Sequence, residues 1–223
     1  TPGIDRRSGE YGDFGVPATV VANFLREQRI VPEKCDLNSI LFLMTPAEDE
    51  SKLNTLIAKL VMFKTLWDAD APLQQVLPSL YAANGERYAG ATIRSVCREM
   101  HAFYRSRDIK GLQRKCFRAE SFPELAMLPQ DAYRALVGNE VDYLPLDECK
   151  GRIAATLALI YPPGIGVVVP GERWDERAQP MLDYLHAFEE SFNRFPGFNY
   201  EVQGVFQERV DGRIVFHTYV VRE

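Results

Sequence analysis

Histidine is scarce, and cysteine never pairs in this sequence. Its three histidines, His101, His186 and His217, are far apart and share no metal-ligand spacing, so they read as surface or core residues. The four cysteines (Cys35, Cys97, Cys116, Cys149) form no Cys-x-x-Cys motif, which argues against a zinc ribbon or dithiol redox centre. They read as the reduced thiols of a cytoplasmic protein, with Cys97 a small buried hydrophobe. Positive charge is not in excess: 26 Lys and Arg face 31 Asp and Glu, a net charge of -5, so nucleic acid is not an expected partner. No run of 18 apolar residues occurs, so no membrane span is expected, and the start has no signal-peptide pattern. A Gly-x-Ser-x-Gly elbow and a Gly-x-x-x-x-Gly-Lys phosphate loop are missing too.

What is present is α/β grammar. Residues 17–29 predict a helix with Pro17 at its first position and Val20, Val21, Phe24 and Leu25 as an apolar stripe. Val31-Pro32 ends it, because proline disfavours helix in the residue before it. A turn over Asp36 to Ser39 then leads to a strand, Ile40 to Met44, apolar enough to be buried on both faces. Thr45-Pro46 opens a long helix with Leu53, Leu56, Ile57, Leu60, Phe63 and Trp67 on one face. The polar, proline-ended stretch Asp68 to Pro72 is the best internal boundary. Helical patterns follow over 73–83, 92–107 and 129–137. The second carries Ile93, Val96, Cys97, Met100, Phe103 and Tyr104 as its stripe. Strands are expected over 141–146, 152–161 and 166–169, then a helix over 175–195. A final hairpin over 200–208 and 213–221 is expected to turn at Val210-Asp211-Gly212. The fold class is therefore α/β passing into α+β.

Few residues offer chemistry. Tyr161-Pro162-Pro163-Gly164-Ile165 removes two backbone donors after a strand, giving either a rigid corner or the wall of a ligand channel. Lys34 and Lys64 are the lysines to weigh as Schiff-base candidates. Lys64 is expected to reach solvent, and Lys34 is kept charged by its neighbour. No lysine directly follows a histidine, the residue expected before a Schiff-base lysine; Lys52 alone follows a serine, Ser51. Glu33 has two readings: a solvated partner of Lys34, or a carboxylate at the mouth of a strand that takes one ammonium group of a substrate.

Seven motifs occur in order: Gly15-Val-Pro-Ala18, Ile30-Val-Pro-Glu-Lys34, Leu41-Phe-Leu43, Gly151-Arg-Ile-Ala-Ala155, Tyr161-Pro-Pro-Gly-Ile165, Pro170-Gly-Glu172 and Phe195-Pro-Gly-Phe198. On these the whole chain resembles the C-terminal part of the bacterial Orn/Lys/Arg decarboxylases, a fold-type-I pyridoxal phosphate family. Residues 33–43, Glu-Lys-Cys-Asp-Leu-Asn-Ser-Ile-Leu-Phe-Leu, are most similar to the ornithine branch. The lysine branch usually has Thr-Gly where this chain has Cys35-Asp36.

The resemblance implies that residues 1–72 end an aminotransferase-like small domain and residues 73–223 form an α+β C-terminal domain. It implies a cytoplasmic parent that converts ornithine to putrescine and CO2 with pyridoxal 5'-phosphate. Its partners would be a small diamino acid, the rest of the parent chain and a homo-oligomer, dimer or higher. The family glutamate that matches Glu33 takes the distal ammonium of the substrate. The family's Schiff-base lysine lies upstream in a Ser-x-His-Lys context absent here, so no catalytic or cofactor-binding residue is expected in this chain, which is expected to be inactive alone. The start at Thr1 fits a truncated parent, with processing as the plainer reading. A lysine or arginine decarboxylase of the same family, a free-standing interaction or regulatory module and a nucleotide effector stay open.

Overall fold

A computed structural model describes residues 3–5, 7–46, 49–161, 164–199 and 201–223. They form two compact units. The first is Thr1–Arg107 together with Phe195–Tyr200, and the second is Asp108–Arg194 with Glu201–Glu223. The first unit therefore closes only when a late segment returns to it.

In the first unit, α1 (Ala18–Glu27) buries Val20, Phe24 and Leu25, the predicted stripe, while Val21 stays at the margin. A two-stranded hairpin follows, β1 (Lys34–Cys35) and β2 (Ile40–Leu41). The expected strand over 40–44 is only these two residues, and it is not buried on both faces: Leu41, Leu43 and Met44 are all more than half exposed. With only β1 beside it, nothing in the described residues covers its outer side.

Helix α2 (Glu50–Asp68) starts later than the expected Thr45-Pro46, because the Asp49 side chain accepts from the Lys52 amide and sets the first turn there. Of its expected apolar stripe only Phe63 is buried, in edge contact with Phe24 at 5.3 Å; Leu53, Ile57 and Leu60 are exposed. The predicted helix over 73–83 is two, α3 (Leu73–Val76) and α4 (Pro78–Ala83), since Pro78 pushes Leu77 out of helical geometry (φ -133, ψ 66). Helix α5 (Ile93–Ser106) matches its pattern closely and buries all six stripe residues. Phe195 and Phe198 return to this unit, stacking near Phe103 and Tyr88, and the Tyr88 hydroxyl donates to the Pro196 carbonyl at 2.9 Å.

The second unit holds α6 (Ile109–Cys116), which the sequence patterns missed, α7 (Pro129–Val137) and α8 (Gln179–Arg194). Its described residues form two antiparallel sheets. One runs β3-β8-β7, from β3 (Val141–Pro145), β7 (Phe206–Val210) and β8 (Arg213–Val221). The other runs β5-β4-β6, from β4 (Ala158–Tyr161), β5 (Gly166–Val168) and β6 (Glu201–Gln203). Helix α8 packs Phe192 edge-on to Phe216 of β8, and the Asn193 amide exchanges two 2.7 Å hydrogen bonds with the Ile214 backbone. The Asp211-Gly212 turn is as expected: both residues have positive φ (50 and 80) and Val210 pairs with Arg213. The expected strand over 152–161 narrows to β4, with Ile153 and Ala154 making isolated bridges instead. Pro162, Pro163 and Tyr200 lie outside the described residues, so the proline corner and the first residue of the late strand are not placed. Among the described residues, no helix is long and apolar enough to cross a membrane.

Candidate functional site

Glu33 is placed by three local devices. First, α1 ends in two overlapping bonds, Ile30 N to Leu25 O (2.8 Å) and Arg29 N to Arg26 O (2.9 Å), with Arg29 left-handed at φ 62. This closure redirects the chain sharply, a geometry that a non-glycine residue adopts at some cost. Second, the Asp36 carboxylate accepts from the amides of Asn38 (2.6 Å) and Ser39 (2.5 Å), which closes the β1–β2 turn. Third, that turn is anchored through buried Leu37, whose carbonyl accepts from the Ala18 amide at 3.2 Å. The Glu33 amide then donates to the Leu41 carbonyl at 3.0 Å, so its backbone cannot drift.

The Glu33 side chain is exposed and lines an open groove of about 510 Å³. Val31, Leu43, Met44, Leu53 and Leu56 supply apolar walls, and Arg29 and Lys52 supply positive charge. Among the described residues no cation is paired with the Glu33 carboxylate. A carboxylate beside an apolar channel can pair with a cation at the end of a methylene chain, and such a pair strengthens as water is excluded. A second cleft, of about 400 Å³, is walled by Val16, Val21, Ile40, Leu60, Phe63 and Trp67, and carries only Lys64 as a charge.

The lysines lie at or near the surface. All seven are described and none is buried. Lys64 is well exposed and paired with Asp68, as expected for a side chain reaching solvent, and Lys59 donates to Gln28 at 3.0 Å. The four cysteines are free and buried. Burial pushes the thiols of Cys35, Cys116 and Cys149 up to about 12, and that of Cys97 higher still, so none is a ready nucleophile. No group of described residues could hold a metal ion. His101 is a core residue, its Nε2 2.9 Å from the Gly12 carbonyl, and His217 stacks on Tyr143. His186 is different: it lies among carboxylates, which spacing along one helix hinted at through Asp183 and Glu189 but which Asp147, far away in sequence, completes.

The family model described as "Orn/Lys/Arg decarboxylase, C-terminal domain" matches residues 110–222, and the one described as "Orn/Lys/Arg decarboxylase, major domain" matches residues 1–52. The chain belongs to the Orn/Lys/Arg decarboxylase family. Within that family it is 54% identical to the inducible ornithine decarboxylase of Escherichia coli strain K12, covering 100% of this chain and 30% of that protein. It is 49% identical to the inducible ornithine decarboxylase of Lactobacillus sp. strain 30a, over 96% of this chain and 29% of that one. The solved structure of lysine decarboxylase A from Pseudomonas aeruginosa superposes with a TM-score of 0.91 at 36% identity, covering 100% of this chain and 29% of that one. The chain thus spans about 30% of the length of these Orn/Lys/Arg decarboxylases. The mixed α and β architecture expected from the sequence is that of the family's C-terminal region. The two matched segments leave residues 53–109 between them, and the sequence boundary at Pro72 falls in that interval. The first compact unit runs past Pro72, where the Leu73 amide donates to Ala91 O (2.9 Å) and the Ile93 amide to Ala71 O (3.0 Å).

Proposed function

We propose that this chain is the C-terminal portion of an ornithine decarboxylase that releases CO2 and putrescine, and that Glu33 receives the side-chain ammonium of ornithine. The carrying observation is the Glu33 carboxylate, backbone-pinned at the rim of an apolar groove and unpaired with any described cation. Two ornithine decarboxylases at 54% and 49% identity, against 36% for a lysine decarboxylase structure, favour ornithine over lysine. The distance from Glu33 to the reacting carbon would select side-chain length.

The electron sink for loss of the carboxylate would be pyridoxal 5'-phosphate. No residue of this chain fits its attachment, because no lysine is buried and none follows a histidine. We therefore place its seat in the remainder of a longer cytoplasmic parent, and read residues 1–72 as the end of the small domain and 73–223 as the C-terminal domain. The exposed apolar side chains of α2, Leu53, Ile57, Val61 and Met62, are the surface on which the rest of that parent or a further subunit of a homo-oligomer would pack.

The test is kinetic. In the full-length decarboxylase that carries this chain, Glu33→Gln lowers kcat/KM for ornithine by roughly 2–4 kcal/mol in barrier terms, as expected for a lost charge-assisted contact. An unchanged kcat/KM assigns Glu33 to solvent. A separate titration of the 223-residue chain with pyridoxal phosphate is expected to give no lysine-bound absorbance band; a saturable band would overturn the upstream seat.

A further inference from the structure

We propose that His186 is a proton-dependent clamp that ties α8 to the turn following β3 in the second unit. The argument starts from which atoms face which. His186 Nε2 lies 3.2 Å from Asp147 Oδ1, on the 3-10 turn Leu146–Glu148, and its Nδ1 lies 3.9 Å from Glu189 Oε1, one turn along α8. Both ring nitrogens thus face carboxylates. A neutral imidazole has one N–H, so it satisfies one carboxylate and turns a lone pair toward the other. Only the imidazolium turns an N–H and a positive charge toward both carboxylates.

Neither carboxylate is placed by chance contact alone. Glu189 also accepts the Phe216 amide of β8 through its other oxygen, which holds the carboxylate against the sheet. Asp147 follows directly from β3, which pairs with β8. Protonated His186 therefore links the helix, the turn and, through Glu189, the central strand. The charged groups around it are Asp147 from the turn and Asp183 and Glu189 from α8 itself, and no cation is among those that act on it. With the imidazole neutral, the three carboxylates lose its positive charge, and like charges repel.

The nearby Glu189 carboxylate raises the His186 pKa most, burial opposes it, and the charges of Asp147 and Asp183 add to the rise. A histidine raised on folding contributes stability that is complete below its unfolded value of about 6.5 and is lost as pH climbs through the higher folded value. The clamp is closed in mild acid and open in mild base.

The experiment follows the imidazole signals of the whole chain by NMR across pH 5 to 9, with His186→Gln assigning the His186 signal. Asp147 is a suitable lever because its side chain is 87% exposed, so Asp147→Asn leaves packing alone. His186 is expected to titrate above 6.5 and to move toward that value in Asp147→Asn, and the stability lost between pH 6 and pH 8 shrinks in His186→Gln by ~1–3 °C in Tm. Titration of His186 at or below 6.5, or no response to Asp147→Asn, overturns the clamp.

Discussion

At the scale of single residues, Gly204 makes the sharpest demand. It has φ 71, and a Cβ there would run into the Leu157 carbonyl. Both the left-handed backbone and the close approach require glycine. Gly204→Ala is expected to cost ~3 kcal/mol or more, read as a lowered denaturation midpoint at unchanged slope. The position also shows where sequence patterns stop. The stretch 200–208 alternates like one strand, yet Gly204 divides it into β6 in one sheet and β7 in the other. A bare glycine in a strand pattern signals a bulge as readily as a crossing between sheets. Glu33 was legible in a different way: its position followed from Val31-Pro32 and the Asp36 turn, but its neighbours in the groove, Lys52 and Leu56, come from another helix and have no local signature.

At the scale of elements, what could be read from the sequence depended on whether an element buries its stripe within its own unit. Helix α5 does, and every residue of its predicted stripe is buried. Its start is equally local: the Thr92 hydroxyl accepts from the Ser95 amide at 3.2 Å and the Ser95 hydroxyl accepts from the Thr92 amide at 2.9 Å. Thr92→Ala is expected to remove about 1 kcal/mol, measured as a shift in urea midpoint, while Ser95→Ala alone loses the reciprocal bond only. Helix α2 also carries an apolar row, of six residues, but buries only Phe63 of it. Periodicity reports that a face must be covered, not which part of the protein covers it. Helix α6 escaped notice because its eight residues, with Gly111 inside and charges at Lys110, Arg114 and Lys115, carry only Ile109 and Cys116 as buried anchors.

At the scale of the whole molecule, the family was legible from ordered short motifs, whereas the compact units were not. The Asp68 to Pro72 stretch has linker composition but is stitched to the start of α5, with the Asp70 carboxylate accepting the Arg94 amide at 3.1 Å and Arg94 donating to the carbonyls of Trp67 and Asp68. Composition cannot show such long-range bonds. The exposed side of α2 gives a further expectation: Ile57→Lys with Val61→Lys leaves Tm within ~2 °C, because exposed substitutions change stability little, and lowers light scattering at high concentration. A steep loss of Tm would place these side chains in the core instead. The return of Phe195 and Phe198 to the first unit bears on synthesis. A chain emerging from the ribosome cannot complete the aromatic packing around Tyr88 and Phe103 until those late residues have appeared. The first unit is finished only after residues 195–200 have been made, behind all of α6, α7 and α8, so a nascent chain stalled after Arg107 holds an incomplete core for chaperones or proteases to engage.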